Sequence, residues 1–566
     1  MPSTVVERQE RLTRRFPVWA PRTLDQLLDF AAAEFPDRDY VITDETVYSY
    51  RDIKLWSERI AGGLVEAGVR AGDHVAIVLA NQPEFVSVKY AIARVGATCV
   101  PINFLNRRDE LGYVLRQSDA ALLITMDSFR GLDYLAALDE LAPGWESRGG
   151  GENLPRLKRV VVFPASGAPV REGVLSLAAL SAPAEPYTGV AEPDPQSVSD
   201  IIYTSGTTGS PKGVLLTHDM LLRAAFGSVY GRAFDDAWRV VFSLPMYHVY
   251  GYVEGLLTVP FVGGAVIPQL TFDPAATLRA IEVHRADDVL LVPTMTLLIL
   301  DELRARPRRL ETLRSVISSG QRSPAGIWKE IFALLHPAEV TTGYGMTEVT
   351  ATMTMTRPGD PFERLLTTNG RMRDAGPAGD PALGGRLVVY RVVDPETRRE
   401  LPPGEAGELM AKGPCVTRGY YNKPEATAAA FDAEGWLHTG DLGRFDAEGY
   451  LTLAGRLKES YRCGGEQVLP TEVEDVLTSH PAVLQAHVVP VPDDRMGEAG
   501  AAFVVLRMEP RVESAELIRL CSDRLARFKV PKYVLPIRAE DLPSTPSGRA
   551  RKFLLTQRAI EHLKLA

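Results

Sequence analysis

Cysteine is scarce in this chain: only Cys99, Cys415, Cys463 and Cys521 occur among 566 residues. No two of them have the spacing of metal ligands, and so few scattered thiols do not build a disulfide framework. A reducing, cytoplasmic setting is therefore expected. The nine histidines fall into no H-x-E or H-E-x-x-H pattern, which argues against a zinc site. Long apolar runs are also missing. Nothing approaches the ~18 consecutive residues of a membrane span, and the first residues show no apolar core of a secretory signal. Basic excess is absent too. The formal net charge is -9, whereas non-specific nucleic-acid binding needs a basic surface to displace counterions. Repeats, coiled-coil heptads and basic tails are lacking, so a structural or scaffolding role finds no support.

What is present is ordinary globular material, 45% hydrophobic and 24% charged, in a chain longer than one core usually serves. At least two domains are expected. Apolar periodicity predicts helices at 24–35 and 53–67, and strands at 40–42 and 46–50. HVAIVLA (74–80), CVPIN (99–103), ALLITM (121–126) and RVVVF (159–163) read as buried strands. A helix from about Pro83 to Val95 falls between the first two. This alternation predicts a parallel sheet covered on both faces. Gly, Pro and Ser mark 142–155 and 182–199 as loops. The α/β pattern resumes over 200–350. Short strands with Gly and Pro turns at 384–455 predict a β-rich subdomain. A final unit of strands (486–491, 501–506) and helices (472–480, 514–526) follows Arg456.

The sharpest local signal is Tyr203-Thr-Ser-Gly-Thr-Thr-Gly-Ser-Pro-Lys-Gly213, directly behind Ile201 and Ile202. Gly206 and Gly209 let backbone N–H groups approach an anion. Thr204, Ser205, Thr207 and Thr208 add hydroxyl donors, and Lys212 adds positive charge. Pro211 immediately before Lys212 rules out the backbone course of a Walker A loop.

This string resembles the phosphate-binding signature of the adenylating superfamily that comprises acyl- and aryl-CoA synthetases, peptide-synthetase adenylation domains and luciferases. The resemblance runs along nearly the whole chain in the family's order. Gly343-Tyr344-Gly345-Met346-Thr347-Glu348 resembles a second core motif. The resemblance implies that Tyr344 stacks on adenine, Thr347 touches phosphate and Glu348 holds Mg²⁺. Trp436-Leu-His-Thr-Gly-Asp441 resembles the ribose motif, which makes Asp441 the acceptor for the ribose hydroxyls. Gly455-Arg456-Leu457-Lys458-Glu459 resembles the hinge, with Arg456 on ribose or phosphate and Lys458 as pivot. The Gly-rich stretch that begins at Arg462 is similar to the loop that meets the acceptor after rotation. Pro245-Met-Tyr-His248-Val-Tyr-Gly251 matches the substrate-side segment, where His248 lines the acceptor tunnel or the acid pocket.

Three stretches depart from the family pattern. Pro543-Ser-Thr-Pro-Ser-Gly548-Arg549 ends in arginine where the family has a lysine that bridges the substrate carboxylate and the α-phosphate. Arg keeps the charge but not the shape, and Lys552 stands nearby as a candidate substitute. Ser318-Ser319-Gly320-Gln321-Arg322-Ser323-Pro324 occupies a place where relatives carry small residues beside adenine and the substrate, and Gln321 and Arg322 are bulkier and more polar. The segment Arg371 to Arg386 looks longer than the usual connection.

The resemblance implies an α/β protein. Its large N-terminal domain (1–456) would hold two α/β sheets plus the β-rich subdomain, and a small mobile α+β domain (457–566) would follow. The implied activity is that of an ATP- and Mg²⁺-dependent ligase. It would adenylate an aryl or fatty carboxylic acid and pass it to an acceptor, coenzyme A by default. Arg549 keeps open a second branch of the family, the diazotases that activate nitrite and hand it to an aryl amine. A nucleotide-binding relative without catalysis is a third reading. The partners are thus small molecules. Oligomeric state and substrate identity are not readable from the chain.

Overall fold

The computed structural model describes residues 3–182, 186–190, 192–204, 211–320, 325–507, 512–545 and 550–565. Two seven-stranded sheets dominate. Across the first run Lys212–Thr217, Val198–Thr204, Thr98–Pro101, His74–Val78, Leu122–Met126, Arg159–Phe163 and Leu175–Ser176. All neighbours are parallel except the first pair, a hairpin in which Thr204 faces Lys212. The continuous apolar runs seen in the sequence are the inner strands. They are buried on both faces, as parallel strands must be when helices pack on each side.

The second sheet runs Glu339–Thr341, Ser315–Ser318, Asp288–Leu291, Arg239–Phe242, Ala265–Pro268, Asp39–Ile42 and Val47–Ser49. It too is parallel apart from the last hairpin. The segment after Phe242 leaves this sheet and docks on the other. Asn81, just beyond the strand His74–Val78, donates to the Leu244 carbonyl at 2.9 Å and accepts from Met246 N–H at 2.9 Å. One asparagine thereby fixes how the chain bearing His248 crosses between the two sheets.

A small antiparallel sheet (Gly343–Met346, Ala351–Met355, Arg371–Met372) and a four-stranded antiparallel sheet (Val389–Val393, Gly407–Lys412, Leu437–Phe445, Leu451–Arg456) complete this part. The second of these is the β-rich region expected at 384–455. Beyond Arg456 the strands Tyr461–Cys463, Glu466–Val468, Val483–Asp493, Gly497–Leu506 and Tyr533–Pro536 form a further sheet. Helices Pro470–Thr478, Ser514–Arg524 and Lys552–Leu563 pack with it around apolar clusters drawn only from residues after 460.

Element boundaries follow capping chemistry more closely than apolar periodicity. The helix expected at 53–67 begins at Tyr50, because Ser49 and Asp52 form a reciprocal capping box. The helix expected at 472–480 begins at Pro470, whose fixed φ and missing N–H suit the first turn. The stretch 142–155, expected to be a loop, contains the single helical turn Trp145–Arg148. Trp145 is buried and its indole N–H donates to Asp139 at 2.9 Å; Gly and Pro around it masked this anchor.

Candidate active site

The strand hairpin Val198–Thr204 and Lys212–Thr217 delivers Thr204 and Lys212 to the edge of the first sheet. Ser205, Gly206, Thr207, Thr208 and Gly209 lie outside the described residues, as do Gln321 and Arg549. Lys212 projects over the Tyr420 ring, its ammonium 4.7 Å from the centroid. Among the described residues no carboxylate pairs with it, so its charge is left for another anion. Tyr420 is held against this strand by backbone bonds from Leu215 N–H to Gly419 O (3.1 Å) and from Tyr421 N–H to Gly213 O (2.8 Å). Its hydroxyl donates to Glu348 Oε1 at 3.0 Å. Tyr420 was not singled out in the sequence. It belongs to no motif there, and only the fold brings it between Lys212 and Glu348.

Glu348 sits in the tight turn Thr347–Val349, after the strand Gly343–Met346. Glycine is required in that strand: a Cβ on Gly345 would overlap the Ala351 carbonyl oxygen, and one on Gly343 the Thr354 carbonyl oxygen. The Glu348 carbonyl accepts from Thr417 N–H at 2.8 Å. Its side chain is almost fully buried, at 8% exposure, which pushes its carboxyl above the ordinary range; the Tyr420 hydroxyl and Arg456 pull only partly the other way. A buried carboxylate with one neutral hydroxyl partner is short of positive charge. Thr347, adjacent, is buried as well.

Asp441 lies opposite Arg456 in the antiparallel pair Leu437–Phe445 and Leu451–Arg456. One carboxylate oxygen pairs with Arg456 Nε at 2.8 Å, and the other accepts the Tyr344 hydroxyl at 2.8 Å. Tyr344 is thus tied to Asp441 by its hydroxyl, a contact the motif comparison did not anticipate. Both Asp441 and Arg456 act electrostatically on Glu348, so the three motifs share one neighbourhood. Gly320 follows the strand Ser315–Ser318 with φ +92°, and the Ser319 hydroxyl donates to the Gly343 carbonyl at 2.8 Å. Lys458 occupies the turn Leu457–Glu459 just beyond Arg456.

His248 heads the short helical turn Val249–Gly251. Its Nδ1 accepts from Tyr250 N–H at 3.2 Å, which leaves the proton on Nε2. Burial pulls its pKa down to about 4, so the imidazole is neutral at pH 7. Lys552 is committed to carboxylates. Its ammonium is paired with Glu474 (2.7 Å) and Glu459 (3.3 Å), which occupies the charge that a substitute for the family's lysine would need.

These groups suit a nucleotide triphosphate. Lys212, which has no carboxylate partner among the described residues, could meet phosphates, and the paired Asp441 and Arg456 could meet a ribose. Among the described residues no cluster of three metal-ligating side chains surrounds Glu348. That fits a magnesium ion held by one carboxylate together with phosphate oxygens. Residues 28–421 match the AMP-binding enzyme family, and residues 472–549 match the AMP-binding enzyme C-terminal domain. The chain belongs to the AMP-binding enzyme family.

Relatives of this family resemble the chain end to end. YngI of Bacillus subtilis, provisionally described as an acyl-CoA synthetase, is 36% identical over 96% of this chain and 98% of its own. A methyl-dioxo-octahydro-indenyl-propanoyl:CoA ligase of Mycobacterium tuberculosis is 35% identical over 94% of this chain and 98% of its own. Among solved structures, ATP-bound MatB of Rhodopseudomonas palustris superposes with a TM-score of 0.81 at 27% identity, covering 94% of this chain and 99% of that one. This member of the AMP-binding enzyme family is therefore an AMP-forming ligase of the CoA-ligase type. The nitrite-activating alternative gains no support from these relatives. No helix among the described residues is long and apolar enough to cross a membrane.

Proposed function

We propose that this protein activates an aryl or fatty carboxylic acid with ATP and transfers the acyl group to coenzyme A, with the work divided between residues 1–456 and 457–566. The observation that carries this reading is the convergence of Lys212, Tyr420 and Glu348 with Tyr344, Asp441 and Arg456. In the first half-reaction a carboxylate oxygen of the acid attacks the α-phosphorus of ATP. The bond to the bridging oxygen breaks and pyrophosphate leaves. Lys212, Thr204, Ser205, Thr207, Thr208 and the N–H groups around Gly206 and Gly209 stabilise the phosphate charge. Asp441 and Arg456 hold the ribose, and Thr347 touches phosphate. Gly320, Gln321, Gly343 and Tyr344 border the adenine. A magnesium ion at Glu348 neutralises charge on the phosphates when bound.

Arg549 takes the sequence position of the family's bridging lysine and would link the carboxylate and the α-phosphate through its two-pronged guanidinium. After pyrophosphate leaves, rotation about Lys458 exchanges one face of the 457–566 unit for another. The thiol sulfur of coenzyme A then attacks the acyl carbon. The thiol loses its proton to solvent, the bond to the AMP oxygen breaks, and AMP leaves. His248, neutral and buried, borders the acid or the thiol path and acts through shape and its Nε2 proton rather than through charge.

The test is product identification. Purified protein with ATP, Mg²⁺ and coenzyme A, offered a panel of aryl and medium-chain acids, yields AMP and the matching acyl-CoA by mass spectrometry. ADP as the nucleotide product, or AMP with no acyl-CoA from any acid, sinks the proposal.

A further inference from the structure

Beneath the small sheet that carries Glu348 lies a closed group of charges that the reaction does not touch. The side chains of Arg232, Glu254, Asp288 and Arg373 are at most 1% exposed. Isolated charges are not tolerated at such depth, so each must be paired. Arg232 pairs with Asp288, which also accepts the Trp238 indole N–H at 3.3 Å. Arg373 pairs with Glu254 at 2.8 Å and donates to the Ala224 carbonyl at 3.2 Å. Arg373 belongs to the segment Arg371 to Arg386 that departs from the family pattern, so one feature of that segment is a cation sent inward.

Glu254 stands in a π-helical turn, Tyr252–Leu256, closed by Leu257 N–H to Tyr252 O at 3.0 Å. Such widened turns re-aim one side chain. Here Glu254 Oε2 accepts the Ser228 hydroxyl at 2.5 Å, and Oε1 accepts both Arg373 and the backbone N–H of Thr352 at 3.1 Å. Burial alone would raise the Glu254 carboxyl, but Arg373, Arg232 and Ser228 outweigh it and hold it charged. The bond to Thr352 is the link to the active site. Thr352 directly follows Thr350 and Ala351, which have φ of +58° and +77°. Neither residue type adopts left-handed backbone willingly, and such strain persists only where the surroundings over-determine it. Thr350 is fastened by its hydroxyl to the Cys415 carbonyl at 2.8 Å; Ala351 has no polar side chain and depends on its neighbours. The turn that Glu254 fastens from behind is the one that presents Thr347 and Glu348 in front.

We propose that Glu254, with Arg373 as its counter-charge, is a positioning residue for adenylation: it clamps Thr352 N–H and so fixes the strained Thr350–Ala351 turn that aims Glu348 at the magnesium-bound phosphates. This rests on the reading of Glu348 as the metal carboxylate. The decisive variant is Glu254→Leu combined with Arg373→Met, which removes the clamp and leaves no lone charge in the core. Two quantities are read: hydrogen exchange in the peptide spanning 347–355, and Mg·ATP affinity by calorimetry. The clamp predicts faster exchange there and an affinity loss of about 10- to 100-fold, the range for partners that orient a metal ligand. Unchanged exchange overturns the proposal, and so does faster exchange with wild-type affinity. Should the double variant not fold, Glu254→Gln combined with Arg373→Met carries the test. It still offers an oxygen to Thr352 N–H, so its Mg·ATP affinity stays well above that of Glu348→Gln; an affinity equally low overturns the proposal. Wild-type affinity in Glu348→Gln would instead sink the metal reading, whatever the clamp does.

Discussion

Glu348→Gln separates the electrostatic role of this carboxylate from its packing. Gln is nearly isosteric and can still accept the Tyr420 hydroxyl, which lies 3.0 Å from Oε1. The fold is therefore kept, while the charge that faces the phosphates is lost. Removing one preorganised electrostatic group costs about 2.7–4 kcal/mol of transition-state stabilisation, or roughly 10²- to 10³-fold in rate. The same change has the opposite effect on the free protein. Burial raises the Glu348 carboxyl above its ordinary value of 4.5, so the folded state binds that proton more tightly than the unfolded chain. Stability from this group is complete below the unfolded value and falls as pH rises through the folded value. The variant, which cannot titrate there, should match the wild type at low pH and melt higher above the carboxylate range. Saturating Mg·ATP should reverse the order, because a ligand at 100 times its Kd adds about 2.7 kcal/mol to the protein that binds it. Melting curves at several pH values, with and without Mg·ATP, together with acid-dependent pyrophosphate exchange, read all three effects. Undiminished exchange, or a wild type that melts higher without nucleotide across the whole pH range, would exclude this role for Glu348.

Lys212→Ala should abolish acid-dependent pyrophosphate exchange with little change in melting, because the ammonium contacts a ring face rather than a carboxylate; undiminished exchange would remove Lys212 from the phosphate site. Asp441→Asn should raise KM for ATP by about tenfold or more, since a bond to a charged partner contributes ~1.5–3 kcal/mol, and should leave KM for the acid unchanged; steady-state kinetics decide. A histidine whose pKa lies near 4 does not titrate in the neutral range, so the pH profile of kcat/KM should have no limb from His248 between pH 6 and 7. A break there that disappears in His248→Gln would contradict this. Arg549→Ala should stop adenylation but spare thioester formation from synthetic acyl-adenylate, and Arg549→Lys should retain adenylation; equal loss of both half-reactions in Arg549→Ala would refute the assignment.

The parallel core was legible because a strand buried on both faces is apolar at every position, as VAIV (75–78) shows. Pairings over long sequence distance were not. Val41 lies beside Val266, and no local pattern announces that Asp39–Ile42 joins a sheet whose other parallel strands begin at Arg239. The same division holds at the site. Lys212, Glu348 and Asp441 stand in ordered local motifs and could be named from residue order. Tyr420 and Glu254 could not, since their meaning comes from Glu348, 72 positions away, and from Arg373, 119 positions away. Lys552 shows the reverse error: proximity in sequence to Arg549 suggested a substitute, but the fold commits its charge to Glu459 and Glu474.

If this protein adenylates its acid, the acid's own oxygen becomes bonded to the α-phosphorus beside Lys212, Glu348 and Asp441. Oxygen-18 tracing tests this most directly. With a substrate acid labelled in its carboxylate, one labelled oxygen should appear in the phosphate of each AMP released. Label in pyrophosphate, or unlabelled AMP formed alongside acyl-CoA, would contradict it.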